Sequence, residues 1–104
     1  MVRAIVFLWL ALQVLFLTRC VTVPAPMEEY ALARAAIEAA KAVESSRYSP
    51  GNWHQADESY RRAQALFVER EFEDAKQEFI RARVAAERAE NSARLIRLKN
   101  GEVL

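Results

Sequence analysis

Residues 72–96 read FEDAKQEFIRARVAAERAENSARLI. Phe72, Ala75, Phe79, Ala82, Ala86, Ala89, Ala93 and Ile96 recur there at steps of three and four, a spacing that sets them all on one face of an α-helix. Helix breakers are absent from the stretch, and from Met27 onward the chain holds only Gly51, Gly101 and Pro50. Arg94, Arg97 and Lys99 suit the negative end of a helix dipole, and Asn100 with Gly101 supplies the stop. The spacing predicts a helix over 72–99.

Upstream, Trp53, Ala56, Tyr60, Ala63 and Phe67 keep the same alternation, and the series then skips five positions to Phe72 beside Glu69-Arg70-Glu71. That loss of phase predicts a turn between a helix at 50–69 and the next; a single bent helix from Pro50 to Lys99 also fits, since no glycine or proline marks the turn. Ser49 stands at a capping position, Pro50 at the first helical position, and Tyr48 and Trp53 where a hydrophobic staple would pair them. Tyr30, Ala33, Ile37 and Ala40 form an earlier stripe over 27–46, with Glu28 and Glu29 at its positive end. The expectation is an all-α protein, a small antiparallel bundle of three helices in which alanine permits close approach and aromatic rings fill the gaps.

The pattern Phe72-x-x-Ala75-x-x-x-Phe79-x-x-Ala82, with Ala63 on the preceding helix, resembles the second half of a tetratricopeptide unit, and the resemblance implies two interlocked antiparallel helices. It covers one unit, about 56–89; Arg70 stands in place of the turn glycine and Glu87 in place of a following proline. A lone unit needs a stacking neighbour, and the helix from Met27 is the donor at hand. A second resemblance covers nearly the whole domain. Glu29-Tyr30-Ala31-Leu32-Ala33-Arg34-Ala35-Ala36-Ile37, Tyr48-Ser49-Pro50 and Glu71-Phe72-Glu73-Asp74-Ala75 are similar to the DUF4398 family, which implies a bacterial, exported and often lipidated envelope protein. The OmpA-like peptidoglycan-binding domain to which such domains are sometimes joined has no counterpart here.

At the other end Met1, Val2 and Arg3 lead into an apolar run from Ala4 to Leu17 that closes on Leu17-Thr18-Arg19-Cys20. A basic start, an apolar run and a processing point are the parts of a secretory signal. Leu17, Thr18 and Cys20 resemble the lipobox of bacterial lipoproteins, with Arg19 where a small residue is usual. The resemblance implies removal of residues 1–19, a diacylglycerol thioether on Cys20 and an acylated amino group, and more than one acyl chain gives stable anchoring. Residues 20–26 then make a lipidated cysteine and a proline-bearing tether, which at ~3.3 Å per extended residue holds the domain at 27–100 within about 20 Å of the membrane. Two other fates stay open. An N-terminal anchor helix could remain uncleaved, although the run reaches only about 21 Å against a hydrocarbon core of about 30 Å. Cleavage nearby could release a secreted product, although no clear Ala-x-Ala site lies between Leu17 and Met27.

Composition narrows the function. Without Arg3 and Arg19 there are thirteen Lys and Arg against fourteen Asp and Glu, a formal charge of −1 that offers no general pull toward nucleic acid. A single cysteine excludes an internal disulfide. His54 and Glu58 lie one turn apart and could share a metal or a proton, but no His-Glu-x-x-His, Ser-His-Asp set, phosphate loop or cysteine cluster occurs, so no catalytic, metal or cofactor residues are assigned and the chain reads as a non-enzyme. Arg61, Arg62, Arg81, Arg83 and Arg88 are interleaved with acids and read as a solvated face. Trp53, Tyr60, Phe67, Phe72 and Phe79 read as core.

The expected function is a non-catalytic envelope lipoprotein at the periplasmic face of a bacterial membrane, the outer in preference to the inner. Lipid on Cys20 fixes its position, and the helical module binds an envelope protein. One alternative is a structural lipoprotein that self-associates through the stripe from Ala75 to Ala93; another is a small binder of an amphiphile or peptidoglycan fragment.

Overall fold

A computed structural model of the chain describes residues 1–17 and 23–102. Thr18, Arg19 and Cys20 lie outside them, so the processing point and the lipidation position are not among the described residues. The all-α expectation holds, with five helices and no strand among the described residues: α1 Val2–Leu17, α2 Met27–Ala42, α3 Ser45–Tyr48, α4 Pro50–Val68 and α5 Phe72–Lys99.

The core follows from the alanine stripes. Ala33, Ala40, Ala56, Ala63, Ala75, Ala82, Ala86, Ala89 and Ala93 are completely buried, as is Phe79. Side chains this small bring the helix axes near the lower limit of ordinary helix spacing, about 8 Å. Aromatic rings fill the end nearer the α4–α5 turn. There Phe79 meets Tyr30 edge-on at 5.3 Å between centroids, and it also touches Tyr60 at 6.0 Å and Phe67 at 6.3 Å. The other end is an alanine cluster of Ala36, Ala40, Ala56, Ala85, Ala86 and Ala89 around Ile37, flanked by Trp53 and Tyr60.

These contacts fix the directions of the helices. Phe67 lies against Phe72, while Ala56 shares a cluster with Ala86, so α4 and α5 are antiparallel. Tyr30 lies against Phe79 and Ile37 shares a cluster with Ala86, so α2 runs parallel to α5. The α4–α5 hairpin is therefore real, and the single bent helix is not formed. Its turn closes as a double hydrogen-bonded C-cap, with the amide of Arg70 on the Phe67 carbonyl at 3.1 Å and that of Glu71 on the Leu66 carbonyl at 2.9 Å. The cap requires a left-handed residue, and Arg70 takes that role with φ 61°. At the end of α5 the same pair of bonds forms around Gly101 at φ 75°, as the glycine stop predicts.

Two expectations for local structure need correction. The first long helix ends at Ala42 rather than near 46, because Glu44 turns left-handed (φ 59°) and starts the separate short helix α3. Ser49 does not cap α4 with its side chain; its hydroxyl accepts a hydrogen bond from the Asn52 amide at 3.1 Å. Nor is the molecule compact as a whole. The described residues extend 86 × 17 × 15 Å, and α1 packs against no other helix among them.

Candidate interaction surface

Three features of the structure bear on function: α1, the corner at α3, and the outer side of the α4–α5 hairpin. Along α1, Ile5, Val6, Phe7, Leu8, Trp9, Leu10, Leu12, Val14 and Leu15 are all exposed, apolar around the whole circumference. A helix apolar on every side is of the kind ordinarily found buried, whereas here its side chains are exposed. Among the described residues no helix is long and apolar enough to cross a membrane.

At the corner, Tyr48 donates to the Glu102 carboxylate at 2.9 Å, and Arg97 donates to its other oxygen at 2.7 Å. The guanidinium groups of Arg47 and Arg97 lie 5.3 and 5.6 Å from the centre of the Tyr48 ring. Arg97, and then Tyr48, hold the Glu102 carboxyl below the usual carboxylate range by hydrogen bonding to its charged form. The same bond raises the Tyr48 phenol. The corner ties the end of α5 to the α3–α4 junction.

On the outer side of the hairpin lies an open groove of about 360 Å³ between α4 and α5. Ile80, Val84 and Ala85 form its apolar floor, Gln55, Glu58 and Ser59 its α4 wall, and Arg81 and Arg88 its α5 edge. An ion-pair chain crosses the hairpin beside it. Glu58 meets His54 at 3.6 Å and Arg62 at 3.5 Å, Arg62 reaches Glu78 at 3.4 Å, and Glu78 holds Arg81 at 2.8 Å. The Glu78 side chain is only 9% exposed, and its contact with Arg62 joins α5 to α4 beside the groove. No sequence pattern marked Glu78 as the partner of two arginines on different helices, because Arg62 is brought beside it only by the antiparallel register.

The remaining expected residues fall as follows. His54 and Glu58 are 78% and 57% exposed, on one turn facing solvent, and no group of three or more His, Cys, Asp or Glu side chains that could hold a metal occurs among the described residues. Tyr60, Phe67, Phe72 and Phe79 pack with one another and with Tyr30; burial raises the Tyr60 phenol, with the neighbouring Tyr30 adding to it. On the exposed faces Glu90 pairs with Arg94 at 3.0 Å and Glu38 with Lys41 at 3.5 Å. The stripe from Ala75 to Ala93 is taken up by the chain's own core, so it offers no outward seam to a second copy.

No curated protein and no solved structure matches this chain. The family model described as "Domain of unknown function (DUF4398)" matches residues 28–101, a span that begins in the first turn of α2 and ends at the glycine stop after α5. With well over half of its length matched, the chain belongs to the DUF4398 family.

Proposed function

We propose that this protein is a non-catalytic, membrane-tethered envelope lipoprotein whose helical module binds another protein at the periplasmic face of a bacterial membrane, the outer in preference to the inner. The observation that carries the reading is the contrast between α1, apolar and exposed all round, and a packed domain that begins within ten residues of its end. A signal that delivers the chain to a lipid anchor at Cys20 accounts for both. The α4–α5 hairpin with α2 against it is the arrangement that a tetratricopeptide-like unit would make with one stacked neighbour. Units of that kind work by accepting further helices.

The intact mass of the native protein extracted from membranes tests the anchor. A mass of residues 20–104 plus acyl groups supports it, and a mass beginning at Met1 without lipid overturns it. Stability unchanged by peptidoglycan fragments or amphiphiles would set aside a small-ligand role.

A further inference from the structure

We propose that the α4–α5 groove is filled by the outer face of α2 from a second copy of this chain, so that tethered copies stack side by side in the plane of the membrane. On α5 the residues turned to α2, such as Phe79 and Ala86, lie roughly half a turn around the helix from Arg81, Val84 and Arg88. The groove is therefore on the side of the hairpin away from α2. It repeats the arrangement that α2 already satisfies on the opposite side: a hairpin presenting small and branched apolar residues to one more helix.

The occupant is argued from charge and register. Arg88 is exposed at the groove edge and makes no ion pair among the described residues. The outer face of α2 carries Ala31, Leu32, Ala35 and Ala42, all exposed, together with Glu28 and Glu38; Glu38 meets Lys41 of its own helix at 3.5 Å, an exposed pair of the weak kind that a second cation can replace, and Arg34 stands at the edge of the face. Leu32 is 44% exposed and has the shape to seat between Ile80 and Val84, and alanine neighbours let the backbone approach.

Within one chain Tyr30 lies level with Phe79, and Ile37 shares a cluster with Ala86. Copies hanging from one membrane by their N-termini share an orientation; here the inference rests on the tethered reading. In that orientation, and in the same register, Leu32 of one copy comes level with Arg81 of the next. Glu38 comes level with Arg88, to within about one helical step of ~1.5 Å. The two faces lie on opposite sides of the bundle, so the contact is head to tail and repeats, as a heterologous interface does.

The test places a photo-crosslinking residue at Leu32 in the full-length chain in native membranes and identifies the partner peptide by mass spectrometry. The expected product joins Leu32 to residues 80–88 of a second copy. Glu38→Arg or Arg88→Glu alone should cut its yield by roughly tenfold or more through like-charge opposition, and the two together should restore it. Both positions are exposed, and an unchanged circular dichroism spectrum confirms folding. Cross-links to a different protein, to lipid, or to other residues of a second copy would overturn the stacking, as would failure of the double exchange to restore the product. Cross-linking to a different protein would leave the interaction-module reading intact, whereas an unlipidated mass beginning at Met1 would remove the anchor whatever the cross-link shows.

Discussion

The Tyr48 hydroxyl donates a 2.9 Å hydrogen bond to the Glu102 carboxylate, across 54 positions of sequence. It closes the end of the domain opposite the α4–α5 turn, joining the last residue of α3 to the segment that follows α5. Arg97 completes the grip on Glu102, and both bonds favour the charged carboxylate. A carboxyl whose pKa is lowered by folding contributes stability above its unfolded pKa, and that contribution disappears as pH falls through the lower folded value. The Tyr48 phenol behaves oppositely: raised by folding, its contribution is complete below its unfolded pKa and is lost as pH rises through the folded one.

Tyr48→Phe should therefore move the Glu102 pKa upward, toward the ordinary carboxylate range, while Arg97 keeps it below that range. Titration of the Glu102 carboxyl carbon by NMR in the two proteins reads this directly. An unchanged pKa would mean that the hydroxyl does not reach the carboxylate in solution.

Ser45→Ala should stabilise the protein by about 1 kcal/mol. Ser45 is completely buried, and its hydroxyl has no hydrogen-bond partner among the described residues. A polar group desolvated without compensation costs roughly 1–3 kcal/mol, and alanine removes that cost while leaving a volume only slightly smaller. Urea unfolding would show a higher midpoint at constant slope; a lower midpoint would show that the hydroxyl is satisfied.

The long stripes were legible because a helical period is a local property of sequence, and the helix at 72–99 and the start of the preceding one at Pro50 could be read from it. The turn at Arg70 was legible only as a loss of phase. A left-handed cap normally announces itself with glycine, and here an arginine accepts the strained conformation. Glu44 hides the break between α2 and α3 in the same way. The groove was less legible still. Ile80, Val84, Arg81 and Arg88 look like an ordinary outer helical face until α4 is laid antiparallel beside them, and the Glu78 contact with Arg62 depends on that same long-range register.

Arg70→Gly should raise stability by about 0.5–1 kcal/mol, since a left-handed residue with a side chain costs roughly 1–2 kcal/mol and part of the gain is offset by the larger backbone entropy of unfolded glycine. Gly101, already left-handed at φ 75°, gives the converse: Gly101→Ala should destabilise. Thermal unfolding of the two variants checks both signs, and shifts of the same direction would contradict the assigned turn geometry.

Glu78→Gln should cost about 1–2 kcal/mol, because the carboxylate is nearly enclosed while its two guanidinium partners, at 51% and 68% exposure, can still be hydrated. The loss should shrink at high salt, which screens the exposed cations but does not restore a buried charge. A salt-independent loss would point to packing of the Glu78 stem instead.

Ala63 and Ala65 sit two positions apart on α4, one completely buried against α5 and the other exposed. Enlarging each to leucine separates packing from propensity, since alanine and leucine are both strong helix formers. Ala63→Leu forces extra methylenes between helices held close by small side chains and should cost about 1–3 kcal/mol. Ala65→Leu adds the same atoms in water and should stay within about 0.5 kcal/mol of the parent. Urea midpoints for the pair measure the difference. Equal shifts would mean that α4 does not present Ala63 to α5, and the antiparallel hairpin, with the groove on its outer side, would have to be rebuilt.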